Sequence, residues 1–165
     1  MHLLQQTTTS NMHDAAAAGC SSLVSIVLPE VMSIGHRAFS GCSSLVGIAL
    51  PAKNLTSVGN GVFAGCASIT NIALPDTLTA VGECLFQGCE SLTSLAWPGG
   101  IPEVGDFTFA GCSSIADIVL PDTVASIGLN TFDGCSSLTS IALPEGLASI
   151  GNYAFSRCSA LVELA

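Results

Sequence analysis

Cys112-Ser-Ser-Ile-Ala-Asp-Ile-Val-Leu-Pro-Asp-Thr-Val-Ala-Ser-Ile-Gly-Leu-Asn-Thr-Phe-Asp-Gly134 runs directly into Cys135-Ser-Ser-Leu-Thr-Ser-Ile-Ala-Leu-Pro-Glu-Gly-Leu-Ala-Ser-Ile-Gly-Asn-Tyr-Ala-Phe-Ser-Arg157, and the second stretch restates the first place by place. Working outward from this pair, cysteines stand at 20, 42, 66, 89, 112, 135 and 158, in steps of 22, 24, 23, 23, 23 and 23. Only Cys84 falls outside the series. Phe39, Phe63, Phe86, Phe109, Phe132 and Phe155 each precede a cysteine by three residues, and Gly35, Gly59, Gly82, Gly105, Gly128 and Gly151 precede those rings by four. Self-similarity at a fixed period of this size marks a solenoid. Six coils are complete and a seventh is cut short at Ala165.

Each column has a job that chemistry assigns. In Leu138-x-x-Ile141-x-Leu143 the apolar places resemble a turn entering a short strand, with Ile141 and Leu143 on one side and Ser140 and Ala142 on the other by the period of two. Pro144 has no N–H for a ladder and ends that strand. Gly151 is expected to supply backbone freedom for a turn, and Phe155 to stack on the ring of a neighbouring coil. One coil cannot bury its own apolar side, so neighbours cover each other at a spacing of about 4.8 Å. Seven coils make a rod about 30 Å long.

Composition narrows the functional classes. Of 165 residues, 49% are hydrophobic and 9% charged, which excludes a disordered chain. No apolar run approaches the roughly 18 residues of a membrane span. Met1-His2-Leu3-Leu4-Gln5-Gln6 lacks the basic and apolar regions of a secretory signal, so localisation stays unknown on these residues. Three basic residues against 12 acidic ones give a net charge of -9, which repels nucleic acid and anionic lipid.

The repeated Cys-Ser-Ser-Leu-x-x-Ile-x-Leu-Pro and Ser-(Ile/Val)-Gly-x-x-x-Phe-x-Gly elements resemble the BspA-type, or Treponema-type, leucine-rich repeats over about residues 19–165. The resemblance implies an α/β or mainly β solenoid, an arc of seven coils with a parallel sheet on its concave side. It implies protein-binding or adhesive roles, often at the cell surface for a longer parent protein. It brings no catalytic residues with it.

Departures from the pattern concentrate in the fourth coil. Trp97 stands where other coils have Leu28, Leu50, Leu74, Leu120 and Leu143, and Gly99-Gly100-Ile101-Pro102 follows it. A repacked core, with the two glycines making room for the ring, is favoured over a ligand-contacting Trp. Pro29 and Gly35 are six apart, Pro51 and Gly59 eight, and later pairs seven, changes that fall in a loop and cost little.

The cysteines admit three readings. Coil spacing falls in disulfide range, yet parallel columns point side chains the same way and seven is an odd number. One thiolate per coil in a row cannot surround a metal ion, and there is no C-x-x-C. Free thiols buried as small apolar residues are expected, with off-register Cys84 the one candidate for reactivity. Neither cofactor nor metal is called for. His2, His13 and His36 lie at no ligand spacing, and no nucleophile has a visible base, so an enzyme is not expected. The post-proline carboxylates Glu30, Asp76, Asp122 and Glu145 read as solvated turn residues, a calcium site at Asp122 and Glu145 being the weaker alternative.

The sheet face carries the functional expectation. Its outward places are Ser25 and Val27, Gly47 and Ala49, Asn71 and Ala73, Ser94 and Ala96, Asp117 and Val119, Ser140 and Ala142, then Glu163 and Ala165. These are small and nearly uncharged, a flat surface suited to a protein or peptide partner rather than a pocket ligand. A solvated face kept narrow by short side chains is the bland alternative. An ice-binding face needs an unbroken Thr column, and the nearest reads Val24, Val46, Thr70, Thr93, Ala116, Thr139, Val162. Residues 1–18 read as a head, flexible or with a short capping helix at Ala15 to Ala18. The last coil reads as truncated, leaving an apolar cross-section through which the chain self-associates. Two functions follow: a protein-binding or adhesion module using the sheet face, or a structural spacer that stacks end to end.

Overall fold

Short runs with a β-branched residue ahead of each periodic glycine form one series of strands, joined by Ser10-Asn11-Met12 ahead of His13 in the first coil. The computed structural model describes residues 10–164. With strands numbered in chain order, this series is β1 (Ser10–Met12), β3 (Val31–Ile34), β5 (Ser57–Val58), β6 (Ala80–Val81), β8 (Glu103–Val104), β10 (Ser126–Ile127) and β12 (Ser149–Ile150). The second series follows each Cys-Ser-Ser turn: β2 (Ser25–Val27), β4 (Gly47–Ala49), β7 (Ser94–Ala96), β9 (Asp117–Val119), β11 (Ser140–Ile141) and β13 (Glu163–Leu164). Every pairing is parallel. The chain is therefore a β-solenoid of about seven coils, with no helix among the described residues. Of the two fold classes left open by the sequence, the mainly β one is observed.

The sheet on the β2 side differs from the continuous sheet expected. It consists of three two-stranded pieces, β2-β4, β7-β9 and β11-β13, and residues 71–73 form no strand. Strands of two or three residues ahead of a proline hold few ladder bonds, so a small shift between coils is enough to drop a pair. The other side, which the sequence pattern does not announce as a sheet, holds runs of four and three strands. Ala15–Ala18 is turn rather than helix: β1 pairs with β3, and Ala15, Ala17 and Gly19 donate to the carbonyls of His36, Ala38 and Ser40. A run of alanines favours a helix, but here the ladder of the next coil takes its backbone groups. Residues 1–9 of the expected head lie outside the described residues.

Two ladders bind coil to coil. On the strand side coils donate both ways, backward in Val46 N–H to Val24 C=O (2.9 Å) and Gly59 N–H to Ile34 C=O (2.9 Å) and forward in Trp97 N–H to Val119 C=O (2.9 Å). On the turn side each coil donates forward, as in Phe39 N–H to Val62 C=O (3.0 Å) and Gly41 N–H to Ala64 C=O (2.7 Å). Side chains after the periodic glycine extend the scheme. Asp14 Oδ1 accepts from His36 N–H (2.7 Å), His36 Nδ1 from Asn60 N–H (2.9 Å), Asn60 Oδ1 from Glu83 N–H (3.1 Å) and Asp106 Oδ1 from Leu129 N–H (2.7 Å).

The core is a ring column. Six phenylalanines from Phe39 to Phe155 stack with centroids 5.2 to 5.8 Å apart and planes within 19°. Trp97 is buried and packs edge-on against Phe109 at 5.9 Å, and its Nε1 has no partner among the described residues. The glycines beside it do not make that room. A Cβ on Gly99 meets nothing within 4 Å, whereas one on Gly100 comes 2.6 Å from the Leu78 carbonyl oxygen.

Gly151 also differs from its expected role. The left-handed glycines are those two places after the rings, such as Gly111 and Gly134, both at φ 78°, together with Gly19 and Gly61. Gly151 is not among them, and a Cβ there sits 2.5 Å from the Gly128 carbonyl carbon. It is a close-approach glycine.

The periodic cysteines are free and their thiols point the same way. Cys66 donates to Phe39 C=O (3.1 Å), Cys89 to Phe63 (3.2 Å), Cys112 to Phe86 (3.2 Å) and Cys135 to Phe109 (3.3 Å). Burial pushes all four thiols up in pKa, that of Cys66 to about 12. Because the folded values exceed the unfolded one of about 8.5, the folded state keeps protons that the unfolded chain loses. Stability is then at its full value below about pH 8 and falls as pH rises from about 9 towards 12. We expect the urea midpoint to hold between pH 7 and 8 and to fall above pH 9. A midpoint unchanged up to pH 11 contradicts this.

Candidate functional site

The face formed by the β2 series does no packing work. Ser25, Val27, Ala49, Asn71, Ala73, Ser94, Ala96, Asp117, Val119, Ser140 and Ala142 are all exposed, while their alternates Ile72, Leu95, Ile118 and Ile141 are buried beneath them. Alternation of period two produces this division, and small outward residues keep the surface shallow.

The coils do not contribute equally. Asn71, Ala73, Ser94, Ala96, Asp117 and Val119 come together around one open depression of about 380 Å³, with Ile72, Leu74 and Leu95 completing its lining. Ser25, Val27 and Ala49 lie to one side of it on β2 and β4, and Ser140 and Ala142 to the other. The depression opens where residues 71–73 leave the sheet. Asn71, Ile72, Ala73 and Leu74 have no backbone hydrogen-bond partner among the described residues. The polar side chains of Asn71, Ser94 and Asp117 stand in one column across three coils, and with the unpaired backbone groups of residues 71–74 they offer hydrogen bonds beside an apolar floor. Asp117 is the charged member, and the chain's three basic residues, Arg37, Lys53 and Arg157, lie on other parts of the coils.

Sequence reasoning missed two features. Val24, Val46 and Val162 are 57%, 48% and 87% exposed, so the column just ahead of the strands widens the apolar part of the face in the outer coils. Its signal was the Val/Thr column itself. A second depression of about 360 Å³ lies on the opposite sheet between β6 and β8, lined by Asn60, Thr79, Glu83, Ile101 and Glu103 among others. The irregular Gly99-Gly100 coil was the available sign of it.

Other candidates have structural explanations. His36 uses Nδ1 as a backbone acceptor. Cys84 is half-buried at φ 56°, and burial, then Glu83 and Asp106, push its thiol up, away from an activated nucleophile. Among the described residues no three His, Cys, Asp or Glu side chains gather as metal ligands. No helix among them is long and apolar enough to cross a membrane.

This geometry has known counterparts. The BspA type Leucine rich repeat region matches in six copies over residues 10–122 and 56–165. The chain belongs to that family. No curated protein matches it. The T. pallidum leucine rich repeat protein is 34% identical over 93% of this chain and 72% of its own, with a TM-score of 0.87. A leucine rich cell surface protein from Faecalibacterium prausnitzii A2-165 is 30% identical over 99% of this chain but only 44% of its own, with a TM-score of 0.88. A Eubacterium ventriosum leucine-rich repeat protein, 23% identical over 85% of this chain and 44% of its own with a TM-score of 0.64, shares the fold. In BspA-type terms, Trp97 replaces a repeat leucine, and the depression on the sheet face lies beside this atypical repeat.

Proposed function

We propose that this chain is a non-catalytic protein-binding or adhesion module that receives a protein partner on the β2-side sheet face, centred on the depression of Asn71, Ser94 and Asp117. The observation that carries this reading is that six outward places from three successive coils border one depression while their neighbours in sequence hold the core. A shallow face with an apolar floor and a few convergent polar groups suits a protein surface. That the F. prausnitzii relative is a leucine rich cell surface protein supports an adhesive setting.

The test is affinity capture from the source cells with the wild-type chain and with the folded Ala96→Arg/Ala142→Arg variant. A protein retained by the wild type and lost by the variant is the expected result; equal retention by both counts against the face. A second reading, a structural subunit that self-associates through its C-terminal coil, is favoured by Ile150, Tyr153, Val162 and Leu164. They stand 46%, 72%, 87% and 49% exposed at that end.

A further inference from the structure

The two end faces of the described solenoid are opposite halves of the same ladder. At the C-terminal face the N–H groups of Tyr153, Phe155 and Arg157 have no hydrogen-bond partner among the described residues, and β12, which carries Ile150, is an edge strand paired on one side only. At the N-terminal face the C=O groups of Asp14, Ala16 and Ala18 and the N–H of His13 have none either. Inside the solenoid the equivalent groups are paired in every coil except at the break between β6 and β8, where Gly105 N–H and Val81 C=O do not meet: Asn130, Phe132 and Gly134 donate to Asn152, Ala154 and Ser156, and Gly151 donates back to Ile127.

We infer that the 165-residue chain self-associates head to tail, the C-terminal face of one copy seating on the N-terminal face of a second. This deepens the self-association reading above by naming the face that receives the end. One register satisfies every group at once. Tyr153, Phe155 and Arg157 donate to Asp14, Ala16 and Ala18 of the second copy, and its His13 N–H donates to Ile150 C=O. In the same register Cys20, the periodic thiol without an acceptor among the described residues, reaches the Phe155 carbonyl as Cys158 reaches that of Phe132. The Asn152 side chain stands where Asp106 accepts from the following coil, opposite the second copy's Asp14 N–H.

Apolar surface agrees with this register. The N-terminal face holds an open groove of about 700 Å³, lined by Met12, Ala16, Ala17, Ile26, Leu28 and Val31 among others. Leu164 of the first copy falls under Ile26 of the second, and the half-buried Phe155 falls under Ala17, continuing the ring column. The contact is heterologous and leaves a free head and a free tail, so it propagates instead of closing.

Sedimentation of the wild type with Ala16→Glu, which blocks the head, and Leu164→Glu, which blocks the tail, tests this. Ala16 and Leu164 are both exposed in the single chain, and the emission of Trp97, distant from both ends, reports that each variant is folded. The wild type is expected to exceed 16.6 kDa progressively with concentration, and each variant alone to stay at 16.6 kDa. An equimolar mixture of the two variants is expected to give a dimer of twice that mass and nothing larger. A wild type that stays monomeric overturns both this inference and the self-association reading. Association by Ala16→Glu alone, or a mixture that stays monomeric, overturns the head-to-tail geometry and leaves self-association by another contact standing.

Discussion

Phe109→Ala is expected to lower stability by about 4 kcal/mol, among the largest costs of any single replacement in the chain. Phe109 is fully buried, stacks on Phe86 at 5.7 Å and on Phe132 at 5.4 Å, and carries the edge of Trp97. Removing the ring opens a cavity between three aromatic neighbours that backbone ladders on both sides hold apart, so the site cannot collapse to fill it. Phe155 is the control. It is only half-buried and has one ring neighbour, at 5.2 Å, so Phe155→Ala is expected to cost less than half as much. Urea unfolding followed by circular dichroism measures both. Equal losses at the two positions contradict the stacked-column account.

Gly128→Ala is the second large effect, expected to cost about 3 kcal/mol for a single added methyl group. An added Cβ runs into Asp106 Oδ1 and comes 2.7 Å from Asp106 N and 2.9 Å from the Gly105 carbonyl carbon. Two of these are backbone atoms of the preceding coil, and the third is the carboxylate that accepts from Leu129 N–H, so none yields without breaking the ladder. Gly105→Ala, at the equivalent place one coil earlier, meets its nearest atom at 3.6 Å and is expected to be within about 0.5 kcal/mol of neutral. The pair separates close approach from turn flexibility. If the two glycines respond alike, the contact with the preceding coil is not what selects glycine here.

The period was plain in the sequence because every coil repeats the same contact. Phe every 23 or 24 residues is a ring column and Cys three places later is a thiol column, buried from Cys42 to Cys135; at the two ends, where one neighbouring coil is absent among the described residues, Cys158 is half-buried and Cys20 exposed. The outward and inward sides of the β2 series also followed from the period of two. Other features depend on distances between coils, which no pattern within a coil encodes. The second sheet rests on pairs such as Ser126 with Ser149, in strands of two residues that carry no alternation to detect. Gly151 reads as a turn glycine in one dimension and is a contact glycine in three. The depression at Asn71, Ser94 and Asp117 arises because residues 71–73 leave the sheet, and their residue types match those of paired coils closely enough that nothing marked the break. The head was misread at Ala15–Ala18 because alanine propensity spoke louder than the faint echo of the coil in Asp14 and Gly19.

Hydrogen exchange of the captured partner's complex tests the central claim, recognition through this sheet face, most directly. In the free chain the amides of residues 71–74 should exchange fast, having no backbone acceptor among the described residues. On binding, protection is expected at 71–74, 94–96 and 117–119, with the buried turn amides around Phe109 and Cys112 unchanged. Protection confined to the turn side or to the opposite sheet, with residues 71–74 still exchanging fast, contradicts the account.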